Sequence, residues 1–377
     1  MSRFIPVTES NEALAFPVST ATEEKRMRTL DLFKAAAAVG LCVLMAGCAA
    51  PVTRGVAVDS AARAQEERVQ MTMAIKAEAE LTKRLFSVGY GVLKGAADQC
   101  KDVVRQSAGM RVLSLDRFPE GRRALAASAL GVDSFPRVFV VYKGGAAELA
   151  GIKVGDVLDP QSTAITPRAD ESREAALRRL PKGVAVPVRV NRGGQELTVQ
   201  LTPDSICDYP LRLANESVVN AYADGKSIMV TRGMMRFATD DRELALVIGH
   251  ELAHNTMGHI DKKTANAVVG MVFDILAASK GVNTNSAFGK AGAQAYSQAF
   301  ESEADYVGMY YLARAGYDST GAADFWRRMA AEHPGNIKGN YSASHPSTTE
   351  RFLSLEKVSD EVKLKQTSGG ALSPNMK

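Results

Sequence analysis

Glu243-Leu-Ala-Leu-Val-Ile-Gly-His-Glu-Leu-Ala-His254 is the stretch on which the reading of this chain turns. Leu244, Leu246, Val247 and Ile248 follow one another without glycine or proline until Gly249, the pattern of a buried helix. Residues four apart on such a helix differ by about 400° of rotation and about 6 Å of rise, so His250 and His254 project from one face. They can share one metal ion. Glu251 sits one position round, able to reach an attacking water but badly placed to be a third ligand. Two histidines and a glutamate at this spacing suit zinc-assisted hydrolysis with the carboxylate as general base. The chain has five histidines in 377 residues, which makes a chance match rare, on the order of a few per thousand.

A second acidic helix lies about fifty residues downstream, in Phe300-Glu-Ser-Glu-Ala-Asp-Tyr-Val-Gly308. Glu301 and Asp305 are four apart and share a face, whereas Glu303 points to the opposite side. Glu301 is therefore the expected third ligand. Asp305 is expected to accept the outer N–H of a ligating histidine and fix its tautomer. Glu303 reads as a solvated surface acid.

His-Glu-x-x-His followed by Glu-x-Glu-Ala-Asp-x-x-Gly resembles the family-48 zinc metallopeptidases of the gluzincin type, which include HtpX-like and BepA-like members. Asn220-Ala-Tyr-Ala-Asp-Gly225 and Ile228-Met-Val-Thr-Arg-Gly-Met-Met235 resemble the family's edge strand and the helix start leading to the zinc motif. His345-Pro-Ser347, with Arg351 six residues after the histidine, resembles its C-terminal His-Pro segment. The resemblance covers roughly residues 80 to 357. It implies one Zn2+ per chain on His250, His254 and Glu301, Glu251 as catalytic base, and a substrate-pairing strand at Asn220, Ala221 and Tyr222. It also singles out His345, either to stabilise a tetrahedral oxyanion or to fill the fourth metal position in a latent state. His259 and His333 have no partner pattern and read as ordinary surface histidines.

Composition bounds the remaining classes. With 46% hydrophobic and 23% charged residues the chain is of ordinary globular type, long enough for two domains. A net charge of +4, without a lysine and arginine stripe interleaved with aromatics, argues against a nucleic-acid partner.

Arg28 and Lys34 precede the uncharged run from Ala35 to Ala46, too short for a mature transmembrane helix and typical of an export signal; Met27 is an alternative start. Leu44-Met-Ala-Gly-Cys48 resembles a bacterial lipobox, with Met45 where leucine is more usual, so Cys48 is the expected lipidation site and the membrane is reached through that anchor. Ala49 after the cysteine points by the same resemblance to the periplasmic side of the outer membrane. The alternative is a plain secretory signal. Cys100 and Cys207 remain, and export to an oxidising compartment favours a disulfide between them over two separate buried thiols.

From Pro136 the pattern turns to short β-rich runs. Arg137-Val-Phe-Val-Val-Tyr142, the Gly144 to Leu158 segment and the hairpin of Val184 to Leu201 resemble the PDZ domains of bacterial proteases. Such a domain adds an extended peptide, often a C-terminal one, to a sheet edge; the alternative is a small β unit that only braces the peptidase. Leu130-Gly-Val132 is the candidate carboxylate-binding loop. Ala265 to Ala278, apolar except for Asn266 and Asp274, reads as a helix covering the active site rather than a membrane contact.

The expected fold is α+β: a mainly helical zincin-like metallopeptidase domain with a small edge sheet, plus an inserted β-rich PDZ-like domain. The expected boundaries are a signal over 1–48, a tether over 49–75, an N-terminal helical part over 76–131, the PDZ-like unit over 132–205, the catalytic domain over 206–357 and a disordered tail over 358–377. The expected activity is endopeptidase cleavage of extended or unfolded polypeptides, such as misfolded or unassembled envelope proteins. The competing reading is a latent or non-proteolytic chaperone that uses the same cleft.

Overall fold

The computed structural model describes residues 53, 55–159, 162, 171, 173–294, 297–332, 345 and 348–376. The signal-like segment with Cys48, and His333, lie outside these residues.

In chain order, α1 (Ser60–Gly95) is followed by β1 (Val104–Ser107), β2 (Met110–Leu113), α2 (Arg123–Leu130), β3 (Arg137–Val141), α3 (Ala146–Leu149) and β4 (Val157–Leu158). Next come α4 (Arg173–Arg178), β5 (Val186–Arg192), β6 (Gln195–Leu201), β7 (Asp204–Cys207), β8 (Leu211–Ala214), β9 (Ala221–Ala223) and β10 (Ile228–Thr231). The remaining elements are helices: α5 (Arg232–Phe237), α6 (Asp241–Thr256), α7 (His259–Ser279), α8 (Ala287–Gln294), α9 (Ser297–Arg314), α10 (Ala322–Glu332) and α11 (Thr349–Thr367). The chain is thus a mixture of helix and sheet, as an α+β reading requires.

The apolar side chains sort into two cores. One gathers Leu85, Val88 and Val92 of α1, Leu244, Val247 and Ile248 of α6, Tyr310 and Tyr311 of α9, and Phe325 of α10. The other is private to the five-stranded sheet β2-β3-β4-β5-β6 and is built from Met110, Val138, Ile152, Leu158, Val188 and Val190. Alternation along β5 and β6 supplies its inward face, and their hairpin closes through Gly193 and Gly194, whose φ values of 60° and 91° suit a two-residue turn.

This sheet takes its edge strand from Met110–Leu113, so the unit begins upstream of residue 132, where the sequence reading started it. In Leu130-Gly-Val132, Gly131, with φ 64°, is the left-handed cap that ends α2. The chain enters and leaves this region through β1 and β7, which pair antiparallel with Val104 opposite Cys207. The disulfide expected from composition is present, Cys100 to Cys207, with both residues buried. Cys100 follows the end of α1 rather than continuing it.

The tail also differs from expectation. α11 runs through to Thr367 because Leu355, Val358 and Val362 form a buried stripe at helical spacing, and Glu361 accepts hydrogen bonds from the hydroxyls of Tyr306 and Tyr310.

Two features position the site. Asp240 caps α6 by accepting the Glu243 N–H at 2.8 Å, fixing where the helix starts. Gly249 and Gly308 then bring α6 and α9 into backbone contact: a Cβ on Gly249 would stand 2.8 Å from the Gly308 carbonyl oxygen, and one on Gly308 would stand 2.9 Å from the His250 nitrogen. The histidine helix and the acidic helix therefore meet at the distance a shared metal needs.

Candidate metal centre

The ligand-bearing atoms of His250, His254, Glu301 and His345 all lie within 4.8 Å of one another. His250 Nε2 is 3.1 Å from His254 Nε2 and 3.3 Å from Glu301 Oε2, and His254 Nε2 is 3.3 Å from Glu301 Oε1. His345 Nδ1 lies 2.9 Å from Glu301 Oε2 and 3.4 Å from His250 Nε2. Ligands on a tetrahedral zinc with bonds of about 2.0–2.1 Å stand about 3.3–3.4 Å apart, so this spacing fits one ion of that size. The donor chemistry agrees, with imidazole nitrogens and one carboxylate. Glu301 Oε1 is moreover a buried oxygen without a hydrogen-bond partner, which a bound cation would satisfy.

The expected ligands His250, His254 and Glu301 are thus brought together, and each is buried. Burial alone would raise the Glu301 carboxyl, but the imidazoles of His345, His250 and His254 hold it well below the usual carboxylate range. Burial disfavours charge on His250, yet Asp305 and Glu301 outweigh it and push the ring up to about 10. The centre is strongly cation-attracting.

Glu251 is buried beside the ligands, its Oε1 3.5 Å from His345 Nε2. Its Oε2 has no hydrogen-bond partner. His345 Nε2 also approaches the backbone oxygen of Ala221 at 3.3 Å. Ala221 and Tyr222 lie on β9, the outer strand of the sheet β8-β10-β9, where the sequence placed a substrate strand. Asn220 precedes that strand, and its N–H and carbonyl are taken up by Thr231.

Asp305 stands behind His250 as expected, its Oδ1 2.9 Å from Nδ1, an ion-pair contact outside the angular range of a good hydrogen bond. Arg351 then grips Asp305 with two charge-assisted bonds, Nε to Oδ2 at 2.7 Å and Nη2 to Oδ1 at 2.8 Å. Burial raises the Asp305 carboxyl, but Arg351 and His250 together lower it more, so it stays below its ordinary value. The Trp326 ring, 5.0 Å from that of His250, closes this side.

The opposite side corrects the sequence reading of His259 and gives the exposed Glu303 a partner. His259 is no surface histidine: it is fully buried, with Nδ1 2.9 Å from Nδ1 of His254. Glu303, read as a solvated acid, lies 2.7 Å from His259 Nε2. With His254 Nε2 turned to the metal group, its Nδ1–H donates to His259 Nδ1, and His259 Nε2–H donates to Glu303. Burial pulls His259 down to about 4, consistent with this neutral, accepting tautomer. The turn that makes the meeting possible runs through Gly258, with φ 66°. A histidine directly after a glycine that ends a ligand helix is the signal that sequence reading passed over.

Residues 195–359 match the family described as Peptidase family M48. Mitochondrial metalloendopeptidase OMA1 of Arabidopsis thaliana is 33% identical over 144 residues, covering 37% of this chain and 29% of that protein. Metalloprotease LoiP of Escherichia coli K12 is 30% identical over 153 residues, covering 38% of this chain and 59% of that protein. Beta-barrel assembly-enhancing protease of Yersinia pestis is 26% identical over 133 residues, covering 31% of this chain and 27% of that protein. The chain therefore spans less than two thirds of each of these relatives. The matched span holds His250, Glu251, His254, Glu301, Asp305, His345 and Arg351, so the candidate metal centre lies wholly within the part of the chain that is similar to peptidase family M48.

Proposed function

We propose that the chain is a zinc-dependent endopeptidase that hydrolyses extended or unfolded polypeptides of the bacterial cell envelope. The observation that carries this reading is the tetrahedral spacing of His250, His254 and Glu301 with the buried Glu251 carboxylate beside them, its Oε2 free of any hydrogen bond. Bound there, zinc would supply a Lewis acid toward a peptide carbonyl and ease the ionisation of water. Glu251 takes the proton from the attacking water and hands it to the leaving amine. β9 offers backbone groups for pairing an extended substrate, a contact with little side-chain selectivity.

His345 stands where a fourth ligand would, touching Glu251 and the β9 backbone at once. That position favours a latent enzyme over an oxyanion role, with His345 withdrawn for turnover. If turnover never occurs, the chain is a chaperone or assembly factor.

The sheet unit with its own core is PDZ-like in this reading and holds peptide along β2. A groove of about 830 Å³ lined by all four β2 residues, Phe118, Leu130 and Phe139 supports it. Location on the periplasmic side of the outer membrane, through acylated Cys48, rests on the lipobox-like sequence alone.

Zinc-dependent cleavage of casein tests the whole reading, with wild type compared with Glu251→Gln and His345→Ala. Cleavage by the wild type or the alanine variant, absent with Glu251→Gln, is expected, and the alanine variant should be faster. If every form binds one zinc and none cleaves, the protease reading fails and the chaperone reading replaces it.

A further inference from the structure

The helix after the zinc motif carries a run of exposed apolar side chains. On α7, Val269, Met271, Val272, Phe273, Ile275 and Leu276 are 46% to 68% exposed. Val282 in the following turn and Phe288 on α8 extend the patch. Isolated exposed apolar residues need no explanation, but a continuous patch of this kind marks a binding surface.

We propose that the α7–α8 hairpin is a lipid-binding element, lying in the surface of a bilayer that contains anionic phospholipid, with α7 immersed in one leaflet. Three features select lipid over another protein surface.

The first is that the hairpin is packed inside out. Its seam is made by small residues: a Cβ on Gly270 would stand 2.0 Å from the Phe288 carbonyl oxygen, and one on Gly292 would stand 2.1 Å from that of Asn266. Of the large side chains, Met271 lies against Gly289 and the Phe273 ring stands 6.2 Å from that of Phe288, whereas Val269, Val272, Ile275 and Leu276 are turned to solvent. Helices sort their residues this way when the surroundings are as apolar as the side chains themselves.

The second is the width of the apolar face. At 100° per residue, Met271 to Phe273 by way of Ile275, Val272, Leu276 and Val269 spans an arc of about 200°. A helix docked on another buries a stripe on the order of 100°, so a second copy of the chain would leave half of this surface in water. Immersion covers it all.

The third is charge. Between 264 and 279 the sole charged residue is Asp274, and the hairpin itself answers that carboxylate. Oδ1 accepts from the Thr284 hydroxyl and from the Phe288 N–H at 3.2 Å, and Oδ2 accepts from the Gly289 N–H at 2.7 Å. Lys262 and Lys263 precede the apolar run, Lys280 ends it and Lys290 lies on α8; four lysines face two acids, Asp261 and Asp274, over 259–294. That balance suits anionic headgroups. The run of sixteen residues is about 24 Å long, short of a bilayer core, and among the described residues no helix is long and apolar enough to cross a membrane. The contact is therefore interfacial. It stands on the hairpin alone, apart from both the peptidase reading and the Cys48 anchor.

The test uses the full chain with Cys42→Ser, Cys48→Ser and Leu276→Cys, labelled at residue 276 with an environment-sensitive fluorophore. This reports the hairpin whatever the N-terminal segment does. With vesicles of phosphatidylcholine and phosphatidylglycerol at 3:1, the emission should shift blue and rise several-fold, and should be quenched by lipid carrying a nitroxide in its acyl chain. Pure phosphatidylcholine should give a weaker response, and Phe273→Asp with Ile275→Asp should abolish it while the melting temperature is unchanged. No response to vesicles overturns the proposal. So does a shift that needs only higher protein concentration, which would make the surface an interface between copies, or one produced by unfolded casein but not by vesicles.

Discussion

The two histidines of the candidate metal centre are held from behind in different ways. His250 leans on a carboxylate that is itself clamped by an arginine, and Asp305 and Arg351 are both almost fully excluded from solvent. His254 leans on a neutral imidazole, and the carboxylate behind that imidazole has 43% of its side chain exposed. The first is an ion-pair contact and the second a hydrogen-bonded relay, and each bears on the orientation that a ligand histidine needs. They differ in what failure costs. A buried ion pair that loses one member leaves a charge stranded in low dielectric, whereas a half-exposed acid that loses its partner is rehydrated.

Arg351→Met should therefore produce the largest effect. It strands Asp305 and should destabilise the protein by about 3–5 kcal/mol, read from the denaturant midpoint, with zinc affinity falling in parallel. A loss no greater than that of Glu303→Gln would erase the contrast between the two sides. His259→Ala should act mainly on the metal. It removes the acceptor for His254 Nδ1–H, and zinc affinity should fall roughly 10–100-fold in a chelator competition. His259→Gln, which can still offer an acceptor, should recover part of that loss; if it behaves like alanine, His259 contributes packing rather than orientation.

Glu303→Gln should be the mildest. Stability should change by less than about 1 kcal/mol, because the group is half in water, and zinc affinity by a few-fold. Combining it with His259→Ala sharpens the comparison. If Glu303 works only through His259, the double variant should bind zinc no more weakly than His259→Ala alone. An additive loss would mean that Glu303 reaches the centre by another route.

The same contrast explains what could be read in advance. Glu301 and Asp305 were legible because one helix carries both, and helical periodicity fixes which residues share a face. Arg351 could be noted as part of a motif, but its grip on Asp305 depends on how α11 packs on α9, which no local pattern records. His259 was misread, and its contact with the exposed Glu303 missed, because their meeting is a matter of chain return. Gly258 folds α7 back beneath α6, and a residue on the far face of α9 becomes a near neighbour. The β-rich composition of the inserted unit was legible, whereas its first strand was not, because Met110–Leu113 is four residues long and follows another strand almost at once. The tail was misjudged by its Ser/Gly-rich end, although Leu355, Val358 and Val362 already spelled a helix face. Apolar content alone shows that Ala265 to Ala278 is a helix seeking a partner; only the glycine seam shows which of its faces α8 takes.

The Cys100–Cys207 bond and the β1–β7 pair join the chain where it departs for the five-stranded sheet and where it returns, with the two cysteine Cα atoms 5.6 Å apart. Such a junction makes the sheet unit a cassette. A shortened or exchanged version needs only to bridge two strands that already lie side by side. A single nick anywhere between them would leave the two halves of the molecule covalently joined. Change in the sheet unit and in the part that carries the candidate metal centre can thus proceed on separate schedules within one gene product.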